Sequence, residues 1–192
     1  MHLSRLSTAI HRLATGWATL ATTAIFILFM ALVLPGQAAA AQAIAGGVGA
    51  PDTSFWYTPA DLYRMAAAYG PEGRAAYIHA RWTFDVIWPV VYTAFLALAL
   101  SWVSRRVFAP ASRWQWANLV PTAGMVLDYL ENSAASLVMA RYPALTPGVV
   151  HLAPVFTLAK WIFVTGSFVL LLIGGGVALW RWAMARRRRQ DA

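Results

Sequence analysis

Four apolar blocks, each close to the roughly 20 residues needed to cross a hydrocarbon core, constrain this chain more than any motif in it. They run over about residues 13–34, 82–103, 116–139 and 152–179. The chain is 60% apolar and only 11% charged, where an ordinary soluble domain carries about 25% charged residues. The pattern predicts an all-α integral membrane protein: a single domain over residues 1–192 built as a four-transmembrane-helix bundle.

The flanks give these blocks a direction. Arg5 and Arg12 precede the first, Arg105, Arg106 and Arg113 separate the second from the third, and Arg181 with Arg186 to Arg189 follows the fourth. The opposite side has Arg64, Arg74, Arg81 and Arg141, diluted by Asp52, Asp61 and Glu72. The positive-inside rule then places both termini in the cytoplasm, and Trp102, Trp114, Trp116, Trp180 and Trp182 form the aromatic belt expected there. The net charge of +8 therefore reports topology and contact with anionic lipid rather than a nucleic-acid partner. With no cysteine in the chain, disulfides, thiolate catalysis and cysteine-held metal centres are excluded.

The first block has a competing reading. Two arginines, a long apolar core, Pro35, Gly36 and the run Ala38 to Ala41 also fit a secretory signal peptide with an Ala-x-Ala cleavage site. An apolar stretch of about 18 to 20 residues exceeds the usual 7 to 15 of a signal core, which favours a retained helix. Cleavage would leave three spans in the same orientation.

The outer loop, residues 36–80, divides by composition. Residues 36–50 carry no charge and almost no large side chain, and read as a flexible linker. Then Thr58, Pro59 and Asp61 supply an N-cap, a proline at the first helical position and an acid at the third. Leu62, Met65, Ala66 and Tyr69 recur on one side of the segment they open, predicting a short amphipathic helix over about 59–69 that caps the bundle, with Phe55, Trp56 and Tyr57 at the headgroup boundary.

Inside the blocks lie charges that are expensive there. An acid at mid-membrane costs about 2.5 to 3.5 kcal/mol on insertion scales, while each Leu or Val returns about 0.3 to 0.6. Counted from the outer ends at 1.5 Å per residue, Asp85 lies about one turn down the second helix, Glu131 and Asn132 about two turns down the third, and Lys160 about two turns down the fourth. Asp128 sits roughly one turn deeper than Glu131. Their convergence on one level predicts a single polar interior. The faces agree: Gly124, Asp128, Asn132 and Ala135 form one stripe, Thr157, Lys160, Ser167 and Gly174 a looser one, and Asp85 shares a side with Arg81, Trp88 and Tyr92. Pro89 frees the carbonyl of Asp85 and Pro121 that of Ala117. Lys160 is placed to pair with Glu131, and Arg81 to pair with Asp85 while snorkelling outward. Asp128 is then left without a cation, to be held by Asn132, a water, a proton or a bound cationic group.

Asp85, Asp128, Glu131, Asn132, Lys160, Arg81 and Tyr92 thus make up the candidate polar cavity. The first expectation for it is a structural or assembly role, since interhelical hydrogen bonds and ion pairs in small bundles fix register without chemistry. The second is binding or modification of a lipid or hydrophobic small molecule from the outer leaflet. The third is a proton or ion path, which four helices provide only in a homo-oligomer or with a membrane-protein partner. No cofactor and no metal is expected: His79, His151 and Asp85 lack any tight ligand spacing, and Ser133 and Ser136 lie outside any nucleophile elbow.

Tyr57-Thr58-Pro59, Asp128-Tyr129-Leu130-Glu131-Asn132 and Thr157 to Trp161, over about residues 52–165, resemble a group of small bacterial inner-membrane proteins. That resemblance implies a multi-pass plasma-membrane protein and brings no activity with it. An acid shortly before a proline after a short outer loop, as in Asp85 and Pro89, is similar to the membrane fold of sterol isomerases and the sigma-2 receptor, although the first helix here lacks any acid. This second similarity tilts the ligand expectation toward an amphiphilic or cationic molecule.

Overall fold

A computed structural model describes residues 2–190, and every regular element in them is helical. An amphipathic helix α1 (His2–Leu13) breaks at Ala14 and Thr15. Thr15 then caps a new helix by accepting from the Ala18 N–H. This second helix runs Gly16–Ala45 without interruption, as α2 (Gly16–Leu28), a π-helical turn (Phe29–Val33) and α3 (Leu34–Ala45). The π turn lies just before Pro35, whose missing N–H breaks the ordinary ladder; Leu34 donates instead to the carbonyl of Phe29. Gly46, at φ 55°, ends the helix in the left-handed conformation that suits glycine. The linker expected over residues 36–50 is therefore helix as far as Ala45, because a run of alanine, the strongest helix former, favours helix over flexible chain.

The cap helix forms as its sequence dictates. In α4 (Pro59–Ala68) the Thr58 hydroxyl accepts from the Asp61 N–H, while the Asp61 carboxylate accepts from the Thr58 N–H at 2.9 Å. Gly70, at φ 63°, turns the chain into α5 (Gly70–Arg81), and a break at Trp82 and Thr83 separates that from α6 (Phe84–Val107). A 3-10 turn (Arg113–Leu119) leads into α7 (Val120–Arg141), and α8 (Val149–Gln190) closes the chain. Pro121 falls in the first turn of α7, and the carbonyl of Ala117, expected to be free, accepts from Val120 within the 3-10 turn.

Three stretches are long and apolar enough to cross a membrane: Gly16–Ala45, Gly70–Val107 and Val149–Gln190. α7, the third expected span, is not among them, because its interior carries the polar face Asp128, Glu131 and Asn132. It is instead packed between α6 and α8. Glycine brings the helices close: a Cβ on Gly124 of α7 would sit 3.0 Å from Val164 Cγ2 of α8, and one on Gly174 of α8 would sit 2.8 Å from Val103 Cγ1 of α6. The buried positions of α8 include Thr157, Lys160, Ser167 and Gly174, the stripe read from the sequence.

At one end of the bundle, Leu62, Met65 and Ala66 of α4, with Tyr57, Tyr69 and Tyr77, pack on Ala135, Val138 and Met139 of α7 and Ala153 of α8. Tyr57, expected at the headgroup boundary beside the exposed Phe55 and Trp56, is buried here and accepts from the Thr157 hydroxyl at 3.1 Å. At the other, arginine-rich end, Asn118 donates to Ser101 Oγ and to the Ser7 carbonyl, and Ser7 Oγ donates to Asn118 Oδ1. Arg105 donates to the carbonyls of His11 and Ala14, and so ties α1 to the end of α6. The Gly16–Ala45 helix is held more loosely. None of its α2 residues is buried, and it leans on α6 through Phe26 stacked on Phe95 at 4.5 Å and Phe29 stacked on Trp88 at 5.5 Å.

Candidate functional site

Two charge clusters share the interior, and each is organised around one cation serving two acids. Arg81 closes α5 and Asp85 opens α6, so the break between those helices brings guanidinium and carboxylate together, at 2.5 Å. The carboxylate also lies at a helix N-terminus, where negative charge is favoured. The same guanidinium nitrogen lies 2.9 Å from Asp52 Oδ2, on the 3-10 turn Pro51–Thr53, and the group sits over the Tyr77 ring at 4.8 Å. Arg81 therefore does not snorkel outward as expected. It is buried, because Asp52 comes in over it.

The second cluster joins three helices. Lys160 of α8 places its ammonium 2.5 Å from Glu131 Oε2 and 3.7 Å from Asp128 Oδ1, both on α7. Tyr92 of α6, two turns beyond Asp85, donates its hydroxyl to Asp128 Oδ2 at 3.0 Å. Asp128 is thus not the uncompensated acid the pairing scheme implied; one lysine reaches both carboxylates, and a tyrosine supplies the remaining hydrogen bond. Glu131 is completely buried behind the lysine. Asn132 and Ser136, on the same helix, are also buried, and neither side chain finds a hydrogen-bond partner among the described residues.

A cavity of about 440 Å³ opens between the two clusters and the Gly16–Ala45 helix. Phe26, Met30, Leu34 and Ile44 line it as an apolar wall from the Gly16–Ala45 helix, and Phe26 packs on Trp88 and Phe168 at ring separations of 5.8 and 6.0 Å. Of the seven residues expected at the site, Arg81, Asp85, Tyr92, Asp128 and Lys160 border this space; Glu131 and Asn132 do not. At its capped end, Asp52 Oδ1, Arg81 Nε and Tyr77 Oη are buried without a hydrogen-bond partner among the described residues. Burial pushes the phenol of Tyr69, which also borders the cavity, up to about 12, so it stays a donor; it donates to the Gly49 carbonyl at 2.7 Å and pins the strap that carries Asp52. His79 and His151 are both exposed while Asp85 is buried against Arg81, so those three do not assemble into a ligand set.

Sequence reasoning missed Asp52, Tyr77 and the apolar wall. Asp52 gave no periodic signal, standing alone in a loop. The wall did give one: Phe26, Met30, Leu34, Gln37, Ala41 and Ile44 recur at intervals of three or four, one face of a continuous helix that passes straight through Pro35. No family model matches this chain, nor does any curated protein or solved structure.

Proposed function

We propose that this protein sits in the plasma membrane with four spans and both termini in the cytoplasm, and binds a hydrophobic small molecule or lipid in the cavity beneath the α4 cap. The supporting observation is the cavity itself: apolar along its length, with the side chains of Asp52, Arg81, Asp85 and Tyr77 gathered at its capped end. An apolar pocket with a few convergent polar groups is the usual form of a small-molecule site.

Volume narrows the ligand class. At roughly 30 Å³ for a methylene-sized group, about the share of one water in the liquid, 440 Å³ holds about 15 such groups. That accommodates the head and one chain, or the rings of a compact polycyclic amphiphile, within the cavity. Charge narrows it further. Two cations already divide themselves among four acids, so the site favours a neutral hydrogen-bonding or cationic head over an anionic one. The head belongs at the Asp52–Arg81–Asp85 end, and the tail along Trp88 and Phe168. α7 reaches the membrane interior as the fourth span because α6 and α8 cover its polar face. Lys160 borders the cavity but Glu131 lies behind it, outside that space, and the pair supports a structural role as an interhelical clasp.

The test is thermal unfolding in nanodiscs, with added single-chain amines, alcohols and carboxylates of equal length and with a two-chain lipid. The reading expects amine or alcohol to stabilise, by about 2.7 kcal/mol at a hundredfold excess over Kd. Equal responses to all of them, or none, would refute it.

A further inference from the structure

The helix α1 is folded onto the protein the wrong way round for a water-soluble surface helix. Leu3, Leu6, Ile10 and Leu13 fall within an arc of ~80° at 3.6 residues per turn, an apolar stripe of the kind a globular protein turns inward. Here the contacts to the bundle are made by Ser7, His11 and Ala14 instead. Ser7 pairs with Asn118, the His11 ring with the Gln115 carbonyl at 3.0 Å, and the carbonyls of His11 and Ala14 accept from Arg105. Ile10 is half-buried and the rest of the stripe is left outside, with Leu3 61%, Leu6 42% and Leu13 65% exposed. Arg5 and Arg12, exposed as well, lie ~130° round the helix from it.

We infer that α1 is an interfacial anchor, its leucine stripe immersed in the leaflet at the arginine-rich end of the bundle and its arginines set against anionic lipid headgroups. The inference rests on the membrane reading above. Three observations select this occupant. The break at Ala14 and Thr15 puts α1 at the start of the apolar Gly16–Ala45 helix, level with the exposed Trp17, a residue suited to the headgroup boundary. Arg105, Arg106 and Arg113 extend the positive surface beside Arg5 and Arg12, and no acid lies at this end among the described residues. A second copy of the chain covering the stripe would bring these arginines against their equivalents, whereas anionic headgroups complement them.

The chain has no cysteine, so single substitutions give unique labelling sites. Leu6→Cys, Leu13→Cys and Thr8→Cys would each carry a nitroxide, in nanodiscs of phosphatidylglycerol or of phosphatidylcholine, and be probed with oxygen and with a water-soluble nickel complex. The anchor predicts an oxygen-to-nickel accessibility ratio several-fold higher at Leu6→Cys and Leu13→Cys than at Thr8→Cys. It also predicts that the ratio falls when phosphatidylglycerol is replaced by phosphatidylcholine, or when Arg5→Gln and Arg12→Gln are added. Equal nickel access at all three sites, or exclusion of both reagents with cross-linking between two Leu6→Cys chains, would overturn it. So would indifference to headgroup charge. A chain extracted from its membrane by alkaline carbonate would refute the membrane reading along with the anchor, while a resistant chain with a water-exposed stripe would refute the anchor alone.

Discussion

Substitution of Lys160 by Met removes the cation that serves both Glu131 and Asp128. Its ammonium lies 2.5 Å from Glu131 and 3.7 Å from Asp128, so at an effective dielectric of about 20 the two attractions are worth about 6.6 and 4.5 kcal/mol gross. Desolvation of three buried groups cancels most of this, and breaking a buried pair from one side costs about 3 to 5 kcal/mol in practice. Lys160→Met is expected within that range. Glu131→Gln takes away the shorter contact but leaves the lysine facing Asp128, so a smaller loss of about 1 to 2 kcal/mol is expected. The double variant leaves only Asp128 to be held, and Tyr92 already donates to it; its loss should fall below the sum of the single losses by at least about 1.5 kcal/mol. Denaturation by sodium dodecyl sulfate in mixed micelles, followed by tryptophan fluorescence, gives all three values. Additive losses, or a larger loss for Glu131→Gln than for Lys160→Met, would refute a lysine shared between two acids.

Other outcomes follow from the same geometry. Gly174→Ala, whose new methyl would meet Val103, is expected to cost about 1 to 3 kcal/mol in the same assay, while Gly175→Ala, with nothing within 4 Å, should be neutral or slightly stabilising. Arg81→Met strands Asp52 and Asp85 and frees the strap over the cavity; hydrogen exchange at residues 46–58 is expected to rise at least about tenfold, or ~1.4 kcal/mol, and no change would show that Arg81 does not hold the strap. The backbone N–H and hydroxyl of Thr58 hold the Asp61 carboxyl below the usual carboxylate range. Because that value is depressed on folding, the cap contributes fully above the unfolded value of about 3.9 and is lost as pH falls through the folded one. Thr58→Ala should move the Asp61 titration upward by nuclear magnetic resonance and cost the protein about 1 kcal/mol, and an unmoved titration would contradict the cap.

How much of this was legible beforehand depended on whether a residue carried a periodic or compositional signal. The helical class, the Thr58 cap and the buried stripe of α8 all announced themselves through spacing. The Glu131–Lys160 pair followed from matched depths along helices of fixed rise, and the Arg81–Asp85 pair from one-turn spacing. What failed were contacts set by the path of irregular chain. Asp52 reaches Arg81 because a strap crosses the top of the bundle, and nothing in the helix geometry required it. The Lys160 contact to Asp128 needed the real separation of α7 and α8, which Gly124 shortens. Alanine and glycine between Pro35 and Gly49 were read together as linker, although alanine propagates helix and only the glycines stop it. The polar docking face of α1 was equally invisible, since it depends on Asn118 and Arg105, about a hundred residues further along the chain.

Native mass spectrometry of the protein released from its own membrane, compared with an Ala41→Trp variant that fills the cavity from the apolar wall, tests the central claim most directly. The account predicts a bound mass on the wild type, of a size suited to about 15 methylene-sized groups, and its loss from Ala41→Trp, with both proteins equally folded. A wild type that carries nothing, or an adduct that Ala41→Trp keeps in full, would contradict a ligand in this cavity.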